Sequence, residues 1–164
     1  PESRPEGQRF RLSEDDYRFM YRYLSQYPSE TPYPKYDDSA YYDSYVKFFF
    51  RDSTCKMPPQ VRVFNKVGWA FGFLIDASYV VDFNNQLEYM LAAVIYVNKD
   101  GILNDNKYEY ESIGWPFMYQ LGQIIYQHEL TKKRTRKPNL DRFKVPYETR
   151  DANDQRPVIR NADN

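Results

Sequence analysis

The chain of 164 residues has a single cysteine, Cys55, and a single histidine, His128. One Cys cannot close an internal disulfide, and one Cys with one His cannot assemble a zinc site of the usual kind. Excess charge of either sign is missing too, because 23 Lys and Arg balance 23 Asp and Glu. That removes any overall electrostatic pull towards nucleic acid or an anionic membrane. No apolar run reaches the length of a membrane span, and the opening "PESRPEGQRF" has neither Met nor a hydrophobic region. Such a start fits a mature form, an engineered start or a cleaved piece. Internal repeats are absent. Aromatic residues are plentiful, at 18% of the chain with 17 Tyr, which suits both a large core and broad contact surfaces. The length suits one domain.

Residues 1–12 are polar and carry two prolines, so they read as a flexible lead-in. Residues 13–60 read as a helical segment. Ser13 is placed to cap a helix with Glu14, Asp15 and Asp16 in its first turn, where the helix dipole favours anions. Tyr17, Met20, Tyr21 and Leu24 follow at helical spacing, and Pro28 ends the run before the turn-rich "YPSETPYPKY". Asp38 or Ser39 is expected to cap a second helix. Tyr41, Tyr42, Tyr45, Val46, Phe48 and Phe49 would form its apolar face, and Ala40, Asp43, Ser44, Lys47 and Arg51 its polar one. Pro58 and Pro59 make the following segment a loop.

Residues 61–130 form the apolar half. "VRVFN" alternates and reads as a strand, "WAFGFLIDASYVVDF" as a second, and "NNQ" as a short turn into an antiparallel third, "LEYMLAAVIYVN". This third segment is apolar on both faces, the mark of a strand covered on both sides. Residues 112–130 read as a helix with Phe117, Leu121, Ile124, Ile125 and His128 on one stripe. Residues 131–164 read as a basic and polar tail. The order predicts an α+β fold, a three-stranded antiparallel sheet with flanking helices. Too few elements are present to cover the third strand on both faces and also to pair its edge.

The stretches "VRVFNKVG", "GFLIDASYVVDF", "LEYMLAAVIYVN" and "GILNDNKYEYESIGWPFMYQLGQIIY" resemble the C-terminal part of the serine β-lactamase and penicillin-binding-protein superfamily, in particular the β-lactamase-like serine hydrolases of Bacteroidetes. The resemblance covers somewhat under half of the chain closely. It implies that Lys66-Val67-Gly68 stands where that superfamily has Lys-Thr-Gly. Lys66 would supply positive charge and proton traffic, Gly68 would let substrate lie against the strand, and the Trp69 backbone N–H would serve the oxyanion hole. Val67 replaces a substrate-binding Thr, and Trp69 is bulkier than the small residue usual there. The resemblance also implies a Ser-x-x-Lys nucleophile motif ahead of this strand. Two literal matches occur. Ser44-x-x-Lys47 falls on the polar face of the expected second helix, and Ser53-x-x-Lys56 in a loop abutting two prolines. The nucleophilic serine is therefore expected upstream, on sequence outside the chain.

The implied whole is a serine hydrolase working through an acyl-enzyme, in the periplasm or cell envelope, with no cofactor. Its sheet would be completed by the N-terminal part of the same fold or by a partner chain. The alternative is a catalytically idle envelope accessory subunit that uses tyrosine-rich surfaces to hold neighbours. Blander readings accompany each residue. Lys66 would be a strand-end lysine reaching water. His128 would be core or a helix C-terminal cation, and Cys55 an incidental thiol. The basic run 132–137 would be a solvated helix end, and the Asp- and Asn-rich 98–109 stretch a loop rather than a calcium site.

Overall fold

Ser13 opens the first helix, α1 (Glu14–Ser25), as the sequence predicts. Its hydroxyl accepts from the Asp16 amide at 3.2 Å, and the Asp16 carboxylate accepts from the Ser13 amide at 2.8 Å. This reciprocal cap satisfies two amide donors that a helix start leaves unpaired, a contribution of about 1 kcal/mol. The computed structural model describes residues 10–53 and 56–159. Within them the fold is α+β, with a three-stranded antiparallel sheet and two α-helices.

The second expected helix does not form. Residues 38–40 and 43–46 run as successive turns, and Phe48–Phe50 make a single 3-10 turn. Asp37 closes the first turn by accepting from the Ser39 and Ala40 amides. Burial is the physical reason. Ser44 and Lys47, assigned to a polar face, are buried, and so are Phe48, Phe49 and Phe50 in succession. Side chains must be swallowed in every direction here, and a one-sided helix cannot do that.

The sheet is built from β2 (Val61–Ala70), β3 (Phe73–Asp82) and β4 (Leu87–Tyr96), in that order. The first strand is longer than "VRVFN", and the second begins later than Trp69. The chain reverses at Phe71 and Gly72, both with positive φ (52° and 87°), a two-residue hairpin that matches strand twist. Glycine is required at 72, where an added Cβ would lie 2.8 Å from the Asn98 Cβ. A minimal parallel pair, β1 (Lys35–Tyr36) with β5 (Val158–Ile159), ties the C-terminal segment to the linker.

Register gives each sheet face its residues. Val63, Asn65 and Val67 share one face with Leu74, Asp76, Val80, Leu91 and Ile95. This face packs on the helix α2 (Trp115–Thr131) and on Phe48–Phe50, around Trp115 and Met118. Each fully buried large side chain contributes about 1.5–3 kcal/mol. The other face holds Phe64, Lys66, Phe73, Ile75, Met90, Val94 and Tyr96. One end of it is capped by a second small core, where Phe64 and Val81 meet Leu140, Phe143, Tyr21 and Leu24. Residues 131–159 are thus more than a polar tail, since Leu140 and Phe143 are buried and Tyr147 hydrogen-bonds Ser25 at 2.5 Å.

Along β4 that face is bare: Met90 is 80% and Val94 59% exposed. Cover on both sides of β4 is therefore not supplied by the described residues, and no strand among them pairs with its outer border.

Helix α2 follows a π turn at Tyr110–Gly114. Its buried stripe is Trp115, Met118, Gly122, Tyr126 and Glu129, not the expected one. Phe117 and Ile124 face outwards, and His128 is exposed in the last turn. Gly122 sets the phase. A Cβ there would lie 2.3 Å from the Phe49 carbonyl oxygen, so this position lets the helix touch the Phe49 backbone. Gly122→Ala is expected to cost about 3 kcal/mol by overpacking. Gly101→Ala, with positive φ but no atom within 4 Å, is expected to cost about 1 kcal/mol. Urea unfolding of the two variants checks this, and equal losses would contradict the close approach.

Candidate functional site

Strand β2 carries the three residues singled out in the sequence, with the Lys66 and Trp69 side chains on opposite faces. Ala70 and Phe73 flank a two-residue turn and so form a hydrogen-bonded pair. By alternation the odd-numbered residues of β2 aim their backbone groups away from β3. The Val61, Val63 and Val67 carbonyls fit this, each accepting from a side chain at that border. The Trp69 N–H therefore points out of the sheet, where an oxyanion donor would have to point.

Lys66 lies on the opposite, partly bare face. It is exposed, and its Nζ donates to the Val67 carbonyl at 2.9 Å. Gly68 is half-buried on the same face as Lys66, across from Ile75. The ammonium group thus enters no cleft formed by the described residues of this chain.

Trp69 is held firmly although its side chain is partly exposed. Its ring meets Trp115 at 4.9 Å, Tyr110 at 5.8 Å and Tyr45 at 6.1 Å. The Arg51 guanidinium stands over this cluster, 3.9 Å from the Trp115 ring centre and 5.6 Å from that of Trp69. Cation–π attraction of about 0.5–2 kcal/mol per ring fixes the end of β2, and with it the direction of the Trp69 amide.

Sequence reasoning missed the most heavily perturbed group. Lys47 is buried at the β2 border, 2% exposed. Its Nζ donates to the Leu24 carbonyl at 2.9 Å, the Val63 carbonyl at 2.9 Å and the Asn65 Oδ1 at 2.6 Å, which uses all three ammonium hydrogens. Asn65 in turn donates to the Val46 carbonyl at 2.8 Å and to Asp76 at 3.0 Å. Asp76, fully buried, also accepts from the Ser78 hydroxyl at 2.7 Å and the Phe48 amide at 3.1 Å. Burial pushes the Lys47 ammonium from 10.5 down to about 7, opposed by the Asp76 charge. Burial pushes the Asp76 carboxyl up, opposed by its hydrogen bonds and by Lys47. The network is closed, with each member's partners inside the protein. Chemically it is a staple, not a reaction centre.

The two Ser-x-x-Lys matches separate likewise. Ser44 is buried beside this network, and its hydroxyl has no hydrogen-bond partner. Ser53 and Lys56 are exposed, whereas Cys55 lies outside the described residues. In the 98–109 loop the acidic side chains close turns. Asp100 accepts from the Ile102 amide and Asp105 from the Lys107 amide, while Glu109 accepts from the Lys99 amide. No helix among the described residues is long and apolar enough to cross a membrane. Comparison with known proteins returns no matching family model, curated protein or solved structure.

The unfolded chain keeps the Lys47 proton up to about pH 10, whereas the folded chain releases it near pH 7. Between these values the unfolded state binds the extra proton, so stability rises with pH, by up to about 1.4 kcal/mol per unit. Above about pH 10 the trend reverses, because burial raises Tyr27, Tyr79 and Tyr89 and brings Tyr126 to about 12. Urea titrations across this range are expected to show the rise in the native chain and not in Lys47→Met. That variant should also lose about 3 kcal/mol, by leaving buried partners unpaired. Ser44→Ala is expected to be neutral or stabilising by up to about 1 kcal/mol, since it removes an unpaired buried hydroxyl. A large loss in its melting temperature would assign Ser44 a partner.

Proposed function

We propose that the chain is the C-terminal portion of a β-lactamase-like serine hydrolase. Its nucleophilic serine lies on sequence outside the chain, and its sheet is completed at β4 by the N-terminal part of the same fold or by a partner chain. The observation that carries this reading is the bare apolar end of the Lys66 face, continuous with the unpaired border of β4. A bare apolar face and an unpaired strand border of this kind invite cover by further polypeptide. Lys66 stands on the side where the covering wall would come.

In the completed enzyme a serine would attack a carbonyl, form an acyl-enzyme and release the acid on hydrolysis. Lys66 would supply positive charge and relay protons, and Gly68 would admit the substrate chain against β2. The Trp69 N–H would bind the developing oxyanion, a contact whose loss costs about 3 kcal/mol. Val67 offers no hydroxyl for a substrate carboxylate, and the Trp69 ring narrows the approach, so the substrate is an ester or amide other than an ordinary β-lactam. The resemblance places such an enzyme in the periplasm or cell envelope. The second reading, an idle accessory subunit, is favoured by one feature: the Lys66 Nζ is bonded to the Val67 carbonyl and to no serine among the described residues.

A fluorophosphonate or fluorescent penicillin probe on the protein with its upstream sequence separates the two. The enzyme reading expects a label on a serine outside these 164 residues, cut at least tenfold by Lys66→Ala. No labelling supports the idle subunit, and labelling on Ser44 or Ser53 overturns the placement of the nucleophile.

A further inference from the structure

A cavity of about 490 Å³ opens between the end of α1 and the 28–46 segment. Six of its eleven lining residues are tyrosines, and two more are Pro28 and Pro34. Tyr36, Tyr41 and Tyr45 stand in a row at successive ring distances of 5.2 Å, tilted into edge-to-face contact, so that they form one continuous aromatic wall. No charged side chain lines the cavity. Near it, Arg62 is matched by Glu30, Arg150 by Asp38 and Arg156 by Asp154, while Arg51 lies over the Tyr45 and Trp115 rings.

This composition selects among ligand chemistries. An anion finds no cation in the lining. A cation would have to compete for rings already held by guanidiniums, since Arg62 lies 4.2 Å from the Tyr27 ring centre and Arg156 4.2 Å from that of Tyr33. A saccharide brings many hydroxyls that need both donors and acceptors. The one amide in the lining, Gln26, already donates to the Glu30 carbonyl at 2.7 Å, and the Tyr27 hydroxyl donates to the Val61 carbonyl at 3.1 Å. Burying unpaired sugar hydroxyls there would cost more than ring stacking returns. A proline-rich segment has the opposite needs. It has few N–H groups to satisfy, can leave its carbonyls facing water, and offers flat apolar rings to the tyrosine wall. Its left-handed extended helix is already formed before binding, which keeps the ordering cost low.

We propose that this tyrosine-lined groove binds an uncharged, proline-rich extended segment of a partner protein. The C-terminal strap holds the groove in shape. Arg150 donates to the Thr31 and Pro28 carbonyls, and β5 pairs with β1, which carries Tyr36. The site stands whether or not Lys66 takes part in catalysis.

The test is fluorescence anisotropy of labelled decaproline with the 164-residue chain, alongside a glycine–serine decapeptide and chitotetraose as competitor. Saturable decaproline binding with Kd below about 1 mM, weakened at least tenfold by Tyr33→Ala and by Tyr36→Ala with unchanged circular dichroism, is expected. Absence of saturation, equal binding of the glycine–serine peptide, displacement by chitotetraose, or indifference to both substitutions overturns the proposal. Should a variant unfold, a benzophenone-bearing decaproline cross-linked to the native chain decides. Adducts on residues 23–46 uphold the site, and adducts elsewhere overturn it.

Discussion

One buried ammonium group ties the architecture together. Lys47 reaches the Leu24 carbonyl of α1 and, on β2, the Val63 carbonyl and the Asn65 side chain, so its own segment, α1 and β2 meet at a single nitrogen. Taking that charge out of water costs several kcal/mol, which its hydrogen bonds and a nearby carboxylate offset in part. Asn65 makes the link to Asp76, and Asp76 fixes the Phe48 amide. The irregular path of residues 37–50 follows from this. The backbone goes where Lys47 and the three phenylalanines must be buried, and regular helix is given up.

The same group explains an asymmetry between the two borders of the sheet. At β2 the outward carbonyls are met by the chain's own donors, from Tyr27, Lys47 and Lys66. At β4 residues 89–96 carry no charge and no proline, the devices that usually blunt an exposed strand. A border so composed carries nothing that would hinder pairing with another strand.

Much of the frame was legible because it rests on local chemistry. The Ser13 cap, the acidic first turn, the three antiparallel strands and the shortage of cover for β4 all follow from residue type and period. What escaped depends on tertiary contact. The Phe71–Gly72 hairpin lacks the usual Asn-Gly or Asp-Gly signal, and its one clue was Gly72. The phase of α2 was misread because hydrophobicity favours Phe117 and Ile124, whereas the backbone of Phe49 demands Gly122. Lys47 was assigned to water on charge alone, and nothing local announces that three acceptors await it. At the candidate site, Lys66 and Trp69 were singled out only through the resemblance of Lys66-Val67-Gly68 to a Lys-Thr-Gly strand. That their side chains leave β2 on opposite faces required the register.

Trp69 and Trp115 are the chain's two tryptophans, and their rings stand 4.9 Å apart beneath one guanidinium. All indole emission therefore originates at the junction where the β2–β3 hairpin, the start of α2 and Arg51 meet. The protein carries its own optical gauge of that junction. Anything that settles near the end of β2 would register as a change in colour or brightness, without an added dye.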